Sequence, residues 1–74
     1  MEVQLAKTLQ QIFAGNLRRE RLARGWSQRV LADQAGLTRT HVGSVERGEH
    51  STTINTIEAL AKALGVEPVE LMRG

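Results

Sequence analysis

Between Arg39 and Arg47 the chain reads R-T-H-V-G-S-V-E-R, which places two arginines, a threonine, a serine and a glycine within nine residues. A guanidinium is a rigid fork of N–H donors that matches a phosphate or carboxylate edge, and short hydroxyls both donate and accept without bulk. At helical spacing Val42 and Val45 fall on one side, and Arg39, Thr40, Gly43, Ser44 and Arg47 on the other. A face of that kind, free of apolar side chains and cationic at both ends, suits a helix that inserts into a groove about 12 Å wide. The central geometric expectation is that Val42 and Val45 point inward, turning Arg39, Thr40 and Ser44 outward together.

Other chemistry is harder to find. The chain has no cysteine, which excludes disulfides, thiolate metal sites and a cysteine nucleophile. His41 and His50 are too few to suggest a metal site and are expected to be solvent-exposed, so no metal centre is anticipated. No nucleophile–base pair or paired carboxylates can be picked out, and an enzyme is not expected. Nor does anything call for a cofactor or a small-molecule ligand. With Phe13 and Trp26 as the only aromatics, the chain lacks the stacking platforms of single-strand binders, and Trp26 reads as cover for the core.

Charge is unevenly distributed. Arg18, Arg19, Arg21, Arg24, Arg29, Arg39 and Arg47 lie between positions 18 and 47 against only Glu20, Asp33 and Glu46, seven cations against three anions, net +4. The remainder sets three cations against five anions, net −2. A basic half turned to a polyanion is one reading. An arginine-rich solvated surface is the other, and charge alone leaves both open; for Arg18, Arg19 and Arg24 in particular a solvated face competes with phosphate contact.

The elements that must position these residues are helical. Leu5, Leu9, Ile12, Phe13 and Leu17 recur at helical spacing and predict a first helix over about Leu5 to Arg24, with Gly15 weakening it by about 1 kcal/mol relative to alanine. Ser27 is an N-cap for a second helix, Gln28 to Ala35; Thr38 caps a third, Arg39 to about Arg47; Thr53 caps a fourth, with Ile54, Ile57, Leu60, Ala61 and Leu64 on one apolar face. Gly25, Gly36, Gly48 and Gly65 close the four. A fifth helical turn starts at Pro68, although Glu67 is a poor cap and predicts fraying there. Trp26 with Leu31, Leu37 with Val42, and Val66 with Leu71 each stand at the spacing of a hydrophobic staple. No period-two segment is long enough for a strand. The expectation is an all-α, compact bundle of five short helices forming one domain over residues 1–74, in which residues 1–12 lengthen the first helix or serve an interface.

The stretch from Gln28 to Arg47, QRVLADQAGLTRTHVGSVER, meets the requirements of a helix-turn-helix. Ala32 provides the small residue where two helices cross closely. Gly36 supplies a turn position that tolerates positive φ. Leu31, Ala35 and Leu37 seal the pair from inside. Gly43 within the third helix implies a close approach, by DNA backbone or by a neighbouring helix.

At this point a family resemblance is evident. RRERLARGWSQ, LADQAGLTRTHVGSVERGE and IEALAKALGVEPVELM, spanning about Phe13 to Leu71, resemble the lambda-repressor-like helix-turn-helix family of the Cro/C1 or XRE type. Within it, HVGSVERGE in so short a chain looks most like the controller proteins of restriction–modification systems. The resemblance implies roles. Arg39, Thr40 and Ser44 would read bases, Arg39 by a bidentate contact to guanine O6 and N7. Gln28, Thr38, Gly43 and Arg47 would lie against the DNA backbone. Arg21 and Glu46 would form a structural salt bridge that fixes the third helix against the first.

The implied activity is that of a sequence-specific regulator binding double-stranded DNA. A single reading helix makes few base contacts, so a homodimer on a pseudo-palindromic operator is expected, with half-sites about 34 Å apart or a multiple of that. Val69 and Met72 are candidates for the dimer surface, and Leu5 and Leu9 are rivals. A bound dimer blocks RNA polymerase at one site or recruits it at another. The setting implied is cytoplasmic, on the nucleoid of a bacterium or phage, and no run of apolar residues is long enough for a membrane span. The competing reading is an antitoxin-like protein that binds a toxin as well as DNA. A module that kept the fold but lost DNA binding fits less well, since it has no need of Arg39 and Arg47 on one face.

Overall fold

The computed structural model describes residues 8–49 and 52–74. Four α-helices follow one another, α1 Leu9–Ala23, α2 Gln28–Ala35, α3 Arg39–Glu46 and α4 Ile54–Leu64, and a 3-10 turn Pro68–Met72 closes the order. Among the described residues there is no strand.

Each α-helix begins on a hydroxyl. Ser27, Thr38 and Thr53 accept the N–H of Val30, His41 and Thr56 at 3.0–3.1 Å, satisfying one of the orphan donors of a first turn. Thr8 does the same for α1, and there the bond is reciprocal: Gln11 N–H donates to Thr8 Oγ1 at 3.2 Å while Thr8 N–H donates to Gln11 Oε1 at 3.0 Å. That capping box starts α1 at Leu9, later than the apolar periodicity predicts. Leu5 lies outside the described residues.

The helix ends are equally local. After α3, Gly48 N–H donates to Val45 O at 3.0 Å and Glu49 N–H to Ser44 O at 3.1 Å, with Gly48 at φ 69°. This pair of bonds is a Schellman closure, and the left-handed residue it requires is cheapest as glycine. The fifth element departs from expectation in kind. It is a 3-10 turn rather than an α-helix, since Glu67 makes no side-chain cap and only five residues are available. Its anchorage comes from elsewhere: Asn16, buried in α1, donates through Nδ2 to Leu71 O at 2.9 Å and to Arg73 O at 2.7 Å.

The core lies where the four helices converge. Phe13 and Leu17 come from α1, Leu31 and Ala32 from α2, Val42 and Val45 from α3, Leu60, Ala61 and Leu64 from α4, and Leu71 from the final turn. Trp26, Ala35, Leu37, Val66 and Met72 pack around this cluster, so both members of every expected staple join it. Ile54 does not belong with the apolar face of α4. It is 75% exposed, because the first residue of that helix projects past the partners that cover Ile57 and Leu60. α3 is held between α1 and α2, which leaves one side of it outward.

Candidate nucleic-acid interface

Val42 and Val45 are 0% and 2% exposed, and this burial fixes the rotation of α3 about its axis. Arg39 and Thr40 consequently lie exposed at its N-terminal end. Thr38 is exposed as well; its Oγ accepts from His41 N–H, which leaves its hydroxyl proton available as a donor.

The inner edge of α3 is tied to the rest of the bundle by an ion pair. Arg21 Nε donates to Glu46 Oε2 at 2.6 Å and Arg21 Nη2 to Glu46 Oε1 at 3.0 Å, a fork-to-fork contact between side chains only 9% and 3% exposed. Its third nitrogen, Nη1, donates to Trp26 O at 2.8 Å. The hydrogen bond that Arg21 donates to Glu46, with the negative charge of that carboxylate, raises the Arg21 pKa against the opposing effect of burial. The pair clamps the C-terminal end of α3 to α1.

A polar relay runs outward from this clamp. Gln28 Nε2 donates to Glu46 Oε1 at 3.1 Å, and Gln28 Oε1 accepts from Arg39 Nη1 at 3.4 Å. Gln28, the first residue of α2, thus stands between the buried carboxylate and the exposed arginine of α3, and one of its amide protons is left over.

The other end of α3 departs from expectation. Ser44 is 7% exposed rather than presented outward, although helical geometry puts it near the outer face. Arg47 lies against it, with Nη2 3.5 Å from Ser44 Oγ. The same guanidinium lies over Gly43, where a Cβ would stand 3.2 Å from Arg47 Nη1 and 3.4 Å from Gln28 Oε1. The close approach implied by Gly43 is thus made by side chains of this protein. Glu49 holds the arginine there: Arg47 Nε donates to Oε2 at 2.8 Å and Nη2 to Oε1 at 3.2 Å. This pairing raises the Arg47 pKa, the hydrogen bond contributing more than the charge.

The basic window also divides. Arg24 donates through Nη1 to Glu20 Oε1 at 2.8 Å and through Nη2 to Leu64 O at 2.6 Å, which commits it to joining α1 and α4. Arg19 donates to Asn16 Oδ1, while Arg18 and Arg29 are exposed. Only part of the net +4 therefore stands ready for an external anion. His41 is half-buried rather than exposed, His50 lies outside the described residues, and no group of His, Cys, Asp or Glu among the described residues is placed to hold a metal.

Of the candidate dimer residues, Val69 is 56% exposed. Met72 packs partly on the core and borders a shallow apolar groove with Leu9, Phe13 and Ile57, so two rival candidates, Leu9 and Met72, share one surface. Sequence reasoning missed Asn16 and Glu49 and left Arg24 between a solvated face and a phosphate contact; each acts through partners that only folding supplies. For Glu49 a signal existed: an acid two residues after an arginine across a helix-closing glycine.

Comparison with known proteins identifies the family. The helix-turn-helix family matches residues 17–71. A hypothetical transcription factor of Neisseria meningitidis is 44% identical over 64 residues, covering 86% of this chain; the chain spans 60% of that relative's length. The restriction–modification controller protein C.AhdI from Aeromonas hydrophila superposes with a TM-score of 0.81 at 45% identity, over 84% of this chain and 94% of that one. The controller protein C.Esp1396I, solved as a tetramer in complex with its natural 35-base-pair operator, superposes with a TM-score of 0.81 at 29% identity, over 88% and 86%. The chain belongs to the XRE-type helix-turn-helix family of DNA-binding transcription regulators.

Proposed function

We infer that this protein is a sequence-specific regulator that binds a pseudo-palindromic double-stranded operator as a homodimer and controls restriction–modification genes. The observation that carries the reading is the fixed rotation of α3. Buried Val42 and Val45, with the Arg21–Glu46 clamp, leave Arg39 and Thr40 exposed at the end of the helix that approaches a groove first. Arg39 reads guanine through O6 and N7, and Thr40 and Ser44 contact base edges beside it. Gln28, Thr38 and Arg47 grip phosphates, and Gly43 keeps the helix surface low where backbone passes. Two such helices related by a two-fold axis give the specificity one cannot. The apolar surface at Val69, Met72 and Leu9 joins the protomers, and the likeness to C.AhdI and C.Esp1396I supports a role in restriction–modification control. Occupancy then blocks or recruits RNA polymerase in the bacterial or phage cytoplasm.

Selection of bound sequences from a random duplex pool tests this. A two-fold symmetric site is expected, with preference lost at one guanine per half-site in Arg39→Ala. Arg47→Ala weakens all sequences alike and reduces the salt slope by about 1. Identical behaviour of the two variants would overturn the division between reader and anchor.

A further inference from the structure

The acid at the end of α3 has no place among the DNA contacts just described, yet it is held firmly beside one of them. The Schellman closure bonds the Glu49 and Gly48 N–H groups back to Ser44 and Val45, and from α1 the Gln10 side-chain amide donates to Gly48 O. The Glu49 backbone is thereby set at a fixed position relative to α3. From there its carboxylate takes two bonds from Arg47, at 2.8 and 3.2 Å, while Arg47 Nη1 lies over Gly43 and Nη2 beside Ser44.

A carboxylate offers a guanidinium nearly what a phosphate offers: two anionic oxygens at matching spacing. Arg47 cannot spend Nε and Nη2 on Glu49 and on a phosphate at once. The side chains of Arg47 and Glu49 are 57% and 51% exposed, so water and salt weaken the pair and a DNA backbone can displace it. When Arg47 leaves, its guanidinium no longer lies over Gly43 and beside Ser44.

We propose that Glu49 is an intramolecular competitor for DNA, a built-in phosphate mimic that latches Arg47 over Gly43 and Ser44 and is exchanged for a phosphate when α3 enters the groove. It rests on the DNA-binding reading above. Its consequence is regulatory: the latch raises the protein concentration at which a site fills, and makes the contact of Arg47 and its departure from Ser44 one event. The bidentate pairing distinguishes this from simple repulsion, since repulsion needs no fixed arginine.

The test is a double-mutant cycle on the full chain with Glu49→Gln, Arg47→Ala and the pair, read as affinity for a random-sequence duplex and for the duplex recovered by selection. Glu49→Gln is expected to tighten both by roughly two- to fivefold at low salt, with the gain fading as salt rises. In the Arg47→Ala background the same substitution should gain little. In the absence of DNA, Arg47 Nε–H should exchange with solvent faster in Glu49→Gln. An equal gain with and without Arg47 would mean repulsion alone, and weaker binding by Glu49→Gln would mean that Glu49 positions Arg47 for DNA; either overturns the latch, as does unchanged Nε–H exchange. If the wild-type chain bound neither duplex, the functional reading itself would fail, and the latch with it.

Discussion

Arg21 and Glu46, 25 residues apart in sequence, meet through two parallel hydrogen bonds of 2.6 and 3.0 Å beneath the surface of the bundle. The carboxylate has a second customer in Gln28, and Gln28 in turn supports Arg39. A buried pair is therefore linked, through a single amide, to the residue assigned to base reading.

Glu46→Gln keeps the shape of this junction and removes its charge. A buried guanidinium left without its counter-ion costs about 3–5 kcal/mol, much of the stability open to a domain of this size. Thermal denaturation should show a Tm lower by more than about 10 °C. Base preference, measured below that temperature, should be retained. Unaltered thermal stability would show that the pair contributes nothing to holding α3.

Gln28→Ala separates the relay from the clamp. Glu46 keeps both bonds from Arg21, so stability should change by no more than about 1 kcal/mol. Arg39 loses the acceptor it has in Gln28, and the phosphate contact proposed for Gln28 is removed. Weaker binding to all sequences, together with relaxed preference at the guanine assigned to Arg39, is expected from binding selections. Preference that stayed intact would restrict Gln28 to an anchoring role.

Gly15→Ala should stabilise the protein. Gly15 lies inside α1, and a Cβ there meets nothing within 4 Å. The gain in helix propensity is about 1 kcal/mol, or a Tm rise of roughly 4–8 °C in a domain of this length. Chemical denaturation and operator affinity measured side by side check that the gain is confined to folding. A fall in stability would mean that something in solution packs on that side of α1.

Val69→Glu tests the assembly. Val69 is 56% exposed, so an acid there costs the monomer little. At an apolar dimer surface it is buried on both protomers and opposes its own copy. Sedimentation should show a shift from dimer to monomer, and operator affinity should fall by at least about tenfold. An undisturbed dimer would move the interface to another surface.

What the sequence determined by itself is whatever depends on neighbours three or four residues away. Ser27, Thr38 and Thr53 were legible as caps because an N-cap hydroxyl bonds the N–H three residues on. Gly36, Gly48 and Gly65 were legible as ends for a similar reason, and the inward side of α3 followed from the i, i+3 spacing of Val42 and Val45. The Arg21–Glu46 contact was reached only through the family resemblance, as no local rule spans that distance. The tertiary structure decided which arginines remain available. Arg24 bonds a carbonyl 40 residues away, Asn16 holds Leu71 across 55, and Arg47 folds back over Ser44 under the hold of Glu49. Arginine and asparagine have several donors and no single preferred partner, so their bonds are set by whichever acceptors folding brings within reach. The exposure of Ile54 and the 3-10 form of the last turn have the same origin: apolar spacing states what an element can bury, and only the packed neighbours determine what is buried.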